Sequence, residues 1–344
     1  MSWHSKYKSF AAGIVASGAS VFGFLFSLIW RTLLDHFGDF PETTLCVGSI
    51  VVFLGIFAVV FSRPNPHHPV NSTQKWGWST FVDTSAFRFA PFNWLTLGVA
   101  FMFLGFYALF FALEDWAHWK GVAYKGPRNM PPPDFKIGAL QTWLLLGILN
   151  ASSFIGRIGS AWSADHWCGP HGALYVHSAT TMTTSLLVFV FWPTLASVAA
   201  AIAFAVIFGA FSGAVIGMPA ASMACAIGKG NKVGQRKLGQ WIGMMYCFAA
   251  LPSLVGPLVA GALTASFLSS SGFLAMQMWC GTCLALASCC YFMAKPHGSR
   301  LQAMVSRKRH DDSAHVRIAS VAVPADRQVT DEEEAKEQKP EARS

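Results

Sequence analysis

The stretch Asn150-Ala-Ser-Ser-Phe-Ile-Gly156-Arg157-Ile-Gly-Ser-Ala-Trp-Ser-Ala-Asp165-His-Trp-Cys-Gly169-Pro170 decides how the chain is read. It carries the one Lys or Arg that falls inside an apolar run rather than at its rim. Helical spacing puts Asn150, Ser153 and Arg157 on one stripe, and Ser152, Gly156, Gly159 and Ser163 on a second stripe roughly 110° away. One face is polar and the other small. In a bilayer the small face lets a neighbouring helix come close, and the polar face needs a water- or protein-lined cavity, because a guanidinium facing lipid is costly. Asp165 and Gly169 then close the helix in a tight polar turn.

The rest of the chain suits such a helix. Of 344 residues 53% are hydrophobic and 12% charged, which is far more apolar than a soluble domain of this size. The short alternating segments of an outer-membrane barrel are lacking. A formal charge of +8 is spread over loops and tail without aromatic interleaving, so nucleic acid is not an expected partner. Seven of the eight cysteines lie in apolar runs and are expected to be free buried thiols. Cys280-x-x-Cys283 lacks partner ligands for a metal, and no metal or cofactor is implied. Nor do the spans hold a His-Glu-x-x-His, a Gly-x-Ser-x-Gly or a Walker-type loop, so no enzyme is expected.

Uncharged runs of about 20 residues define the spans. They are 10–30, 43–62, 89–113 and 137–164, then two from His166 to Gly228 split at Trp192-Pro193-Thr194, and two from Leu238 to Ala294 split at 267–272. The expectation is an all-α polytopic membrane protein with about eight transmembrane helices. About fourteen basic residues on one side against about five on the other place both termini in the cytosol, in the plasma membrane or an internal one. After Lys295 the chain turns polar, and residues 296–344 are expected to form a disordered cytosolic tail.

Gly156-Arg157, Ala164-Asp165 and Gly169 together resemble the loop motif between the eighth and ninth helices of the major facilitator superfamily. With the Asn-Ala-Ser-Ser-Phe lead-in, the stretch resembles its fungal monocarboxylate-transporter-like branch. Two further segments match. Ala11 to Gly23, with Gly13 and Gly18, is similar to the fifth helix of the family, although Ser27 stands near where relatives often have a proline. Gly239 to Gly261, with Gly243, Gly256 and Pro257, is similar to the eleventh. Gly209, Phe211 and Gly213 of the sixth span suit cavity lining or close helix packing.

The resemblance implies a secondary transporter of small organic anions, monocarboxylate-like, working by alternating access. Arg157, with Asn150 and Ser153, would contact the substrate, and Gly156, Asp165 and Gly169 would form the gating loop. Animal relatives carry an aspartate four residues before this arginine, used in proton coupling, whereas this chain has Ser153. On the family register residues 1–62 supply helices five and six, a remnant of the N-terminal half. Residues 63–88 are a cytosolic inter-half loop, and 89–295 the six-helix C-terminal half. Helices one to four are then lacking, as in a truncated product or a partial gene model. The alternative expectation is a transport-incompetent membrane protein that acts by association with other membrane proteins. Beyond lipid, self-association that shields the Arg157 stripe is an expected partner interaction.

Overall fold

A computed structural model describes residues 8–61, 77–125, 135, 138–166, 171–228, 234–235, 237–266 and 271–295. Gly169, Cys168 and the 296–344 tail lie outside the described residues, as does most of the 63–88 loop.

The described chain is helical apart from one short strand pair. α1 (Lys8–Phe37) turns at Gly38, whose positive φ of 73° suits glycine, into α2 (Phe40–Phe61). After short turns at Trp78–Phe81 and Thr84–Arg88, α3 (Ala90–Trp119) follows, with proline in its first turn. β1 (Ala123–Tyr124) pairs in parallel with β2 (Leu140–Gln141), which leads into α4 (Thr142–His166). α5 (Gly172–Leu186) runs through a π-helical turn at Leu187–Phe191 to Trp192–Thr194, where Pro193 and the extended Leu195 end it. Ser197 then caps α6 (Val198–Gly217) by accepting from the Ala200 amide at 3.2 Å. α7 (Pro219–Ile227), α8 (Leu238–Ser266) and α9 (Ser271–Met293) complete the order.

Eight of these helical segments are long and apolar enough to cross a membrane. Their limits correct two expectations. The uncharged run ends before Arg31, yet α1 runs on to Phe37, because Arg31 pairs with Asp35 one turn ahead at 2.9 Å. α3 likewise continues through Glu114 and Asp115 to Trp119.

α3 is the centre of the fold, and Phe92, Leu95, Met102, Phe106 and Trp116 along it are fully buried. Gly256 lets α8 close on it, since a Cβ there would run into the Leu104 carbonyl. Between α5 and α9 the contact is polar: Ser178 Oγ donates to the Ser288 carbonyl (3.0 Å), Ser288 Oγ to the Ser178 carbonyl (2.8 Å), and Ser185 Oγ to the Gly281 carbonyl (2.7 Å). α2 is different, with Thr43 its one buried residue and apolar side chains exposed all round. The described cysteines are free, but Cys247 and Cys289 are exposed on helix surfaces rather than buried. His177 is fully buried as a packing element, its Nδ1 3.0 Å from Ser222 Oγ and its ring stacked 3.9 Å from that of Tyr291.

Candidate functional site

The two stripes read from the sequence face two different helices. The small stripe of α4 meets α6. Ser152 Oγ donates to the Ala205 carbonyl (3.3 Å), and a Cβ on Gly209 would collide with Ser152 Oγ and the Leu149 carbonyl. A Cβ on Gly213 would strike the Ser153 carbonyl. Gly156, grouped with the gating loop in the sequence, lies inside α4 instead, and a Cβ there would strike the Ala210 carbonyl. Its lack of a side chain serves helix packing, and Gly159 on the same stripe faces open space.

The polar stripe of α4 meets α1, and the two helices run antiparallel. Along them Asn150 packs its amide on Gly23, Ser20 Oγ donates to Ser153 Oγ at 3.2 Å, and Arg157 Nη1 donates to the Ala16 carbonyl at 2.6 Å. Next comes Gly13, where a Cβ would sit 2.5 Å from the Ala161 Cβ and 2.9 Å from the Arg157 carbonyl. At the end of the series Asp165 Oδ2 accepts from the Phe10 amide at 2.9 Å. Phe24 on Gly147 closes the other end. From Phe10 to Phe24 this contact is about 21 Å long at 1.5 Å per residue, or two thirds of the roughly 30 Å hydrocarbon core.

Arg157 is 7% exposed. Besides Ala16, its Nε reaches Ser153 Oγ at the long distance of 3.5 Å. A guanidinium offers five N–H donors, and among the described residues these two contacts use only part of the fork. Among the described residues no carboxylate pairs with it. Gly217 of α6 packs beside its Cγ, where a Cβ would come within 3.3 Å. Among the described residues the arrangement therefore holds a cation inside the helix bundle on uncharged acceptors.

Beyond the Phe24–Gly147 contact α1 and α4 part. A cleft of about 500 Å³ opens there, lined by Trp30 and Arg31 of α1, Glu114 of α3, Tyr124 and Lys125 at β1, and Trp143 of α4. Gln141 Oε1 accepts from Trp143 Nε1 at 2.6 Å and fixes that indole. A second groove, of about 320 Å³, lies between α3 and α8, with Pro257 in its wall. Phe211 is half-buried against the core, while Gly18 and Gly243 meet nothing within 4 Å, so neither is needed for close packing.

Sequence reasoning did not find Ala16, Ser20 and Gly23 as partners of the stripe. Nor did it find the joint between the loop and α8. Asp83 accepts from Trp241 Nε1 (2.9 Å), Lys237 Nζ (2.9 Å) and Ser85 Oγ (2.7 Å) there. Burial opposes ionisation of Asp83, but these donors outweigh it and hold the carboxyl well below the usual carboxylate range.

No protein-family model matches the chain. It is 26% identical to the aspyridones efflux protein apdF of Emericella nidulans, over 85% of this chain and 53% of that protein. To MFS-type transporter 1 of Ophiocordyceps sp. it is 26% identical, over 85% of this chain and 58% of the relative. Human monocarboxylate transporter 12 is 23% identical over 83% of this chain and 56% of its own length. The chain spans about half the length of the curated relatives it matches. With eight helices apolar enough to cross a membrane, the chain is an integral multi-pass membrane protein homologous to MFS-type transporters, and its helical architecture is consistent with part of that fold.

Proposed function

We propose that the chain serves secondary transport of an organic anion by alternating access, with Arg157 as the anion contact and Asn150 and Ser153 beside it. The observation that carries this reading is the Arg157 guanidinium, 7% exposed, hydrogen-bonded to a carbonyl and a hydroxyl and paired with no carboxylate among the described residues. A cation within membrane-spanning helices costs free energy unless it serves a partner, and the planar fork of arginine matches a carboxylate. The names of the relatives support transport and, for one of them, a monocarboxylate.

In this reading α1 and α2 belong to one half of the transporter, α3 to α9 to the other, and the substrate passes between α1 and α4. The contact from Phe10 to Phe24 is closed and the cleft beyond Phe24 is open, which suits a state accessible from one side only. With both termini cytosolic, the open side faces outward. The test is uptake of labelled organic anions into vesicles carrying the chain, alone and together with the first four helices of a relative. Arg157→Lys keeps the charge but loses the fork, and should cut uptake at equal membrane abundance by about tenfold or more. Unchanged uptake would return Arg157 to a purely structural role. A second reading, assembly with another membrane protein, is favoured by α2, whose apolar surface is exposed on every side; chemical cross-linking in the native membrane tests it.

A further inference from the structure

Resting on the reading of Arg157 as the anion contact, we propose that the cleft beyond Phe24 and Gly147 selects the substrate. It takes a drug-sized organic monoanion with an aromatic body, in preference to a three-carbon acid.

Size is the first argument. At about 500 Å³ the cleft falls among pockets that enclose drug-sized ligands, which run from about 300 to 1,000 Å³. A lactate-sized molecule would leave most of it to water and would touch few of its walls.

The walls are the second argument. Phe26, Trp30, Tyr124 and Trp143 all line the cleft, and two of these rings are held in place. The Trp143 indole is fixed by Gln141, and Trp30 packs edge-on against Phe40 with ring centroids 5.4 Å apart. Aromatic surfaces that are already positioned bind another ring with little loss of side-chain freedom.

Charge is the third. Arg31 and Lys125 sit on the walls, each already paired with an acid that is well exposed, Asp35 (51%) and Asp115 (64%). Exposed pairs of this kind are held loosely, so a ligand carboxylate can take the place of either acid. Arg31 and Lys125 against Glu114 leave the described lining with one net positive charge, which a single carboxylate on the ligand balances. Hence the preference for a monoanion.

The position of the cleft fits passage to Arg157. Trp30 lies seven residues beyond Gly23 on α1, about two helical turns from the Asn150 contact. A substrate resting in the cleft is therefore separated from Arg157 by the close contact of α1 with α4, which parts when the helices rock.

The experiment uses the whole chain in lipid nanodiscs. Binding of labelled 2-naphthoate is measured by equilibrium dialysis, with lactate and 2,6-naphthalenedicarboxylate as competitors. Saturable naphthoate binding is expected, displaced little by a hundredfold excess of lactate and about tenfold less well by the dicarboxylate than by naphthoate itself. Trp143→Leu and Trp30→Leu should each weaken naphthoate by about tenfold at unchanged thermal stability. Glu114→Gln should narrow the gap between mono- and dicarboxylate. Lactate competing at equal concentration, or naphthoate affinity unmoved by both tryptophan variants in folded protein, overturns the proposal. Arg157→Lys separates the two readings. Loss of uptake with naphthoate binding intact supports both, whereas uptake indifferent to that change, with binding still dependent on Trp143, removes the Arg157 reading and leaves the preference of the cleft standing.

Discussion

Asp165, near the C-terminal end of α4, accepts a hydrogen bond from the backbone amide of Phe10, three residues into α1, at 2.9 Å. The first amides of a helix have no partner within it, and the N-terminal end of its dipole favours a negative charge. One carboxylate therefore caps a helix 155 positions away and fixes the closed end of the α1–α4 contact. Asp165→Ala should cost about 1 kcal/mol of stability. It should also raise the accessibility of a cysteine placed at Ala12 to a small water-soluble reagent. An unchanged melting temperature together with unchanged labelling would show that the cap holds nothing closed.

The glycines divide by what their neighbours are, and substitution reads that division directly. At Gly156 an added methyl meets the Ala210 carbonyl, which belongs to a helix backbone and cannot turn aside. Gly156→Ala should therefore destabilise by about 3 kcal/mol or push α6 off α4. Gly18→Ala and Gly243→Ala meet no atom within 4 Å and should be neutral or stabilise by up to about 1 kcal/mol, because alanine favours the helix. Thermal unfolding of the three variants in one detergent checks this, and equal effects would mean that the α4–α6 contact has room for a methyl group.

How much of this was legible beforehand depended on where the partner lay. The stripe of Asn150, Ser153 and Arg157 follows from the 3.6-residue period, which is local. What it touches does not, because Ala16 contributes a carbonyl, which no side-chain pattern reports, from 141 positions away. Gly13 and Gly18 are the same residue in the same apolar run, and only the helix opposite one of them sets them apart. Segmenting the chain by charge found eight spans but placed Arg31 outside the first. An arginine with an acid one turn ahead is compatible with a continuing helix, so a charge marks the edge of the apolar core and not the end of the helix. Glu114 is hidden as a site residue for the same reason: as the first charge after an apolar run it marks the edge of a span, whereas α3 carries it past the cleft.

The joint at Asp83 makes a prediction about pH. Its carboxyl is held below the 3.8 expected of an unperturbed aspartate, so its contribution to stability is present above that value and is lost only as pH falls through the lower folded one. Docking of residues 84–88 on α8 should be unaffected from about pH 8 down to about pH 5 and should fail in stronger acid. Asp83→Asn removes the ion pair with Lys237 and should loosen the segment at every pH. Hydrogen exchange at the Ala86 and Phe89 amides is the readout, and protection lost between about pH 7 and pH 5 would contradict the assignment.

Alternating access requires α1 and α4 to part where they now touch, and Ser20 with Ser153 offers a way to forbid it. Their hydroxyl oxygens are 3.2 Å apart and both side chains are buried, so Ser20→Cys with Ser153→Cys changes little volume and brings two thiols close enough to join. Once oxidised, the pair holds α1 against α4 beside Arg157. If the substrate passes between these helices, cross-linking should abolish uptake in a transport-competent assembly, and reduction should restore it. Binding in the cleft beyond Phe24 should survive, because its walls diverge only past Phe24 and Gly147, more than a helical turn from the cross-link. Each single cysteine variant, treated with the same oxidant, controls for damage elsewhere and for the role of Ser153 itself. Uptake that continues at full rate with the disulfide formed would show that the α1–α4 contact is static and that any passage runs along a different pair of helices.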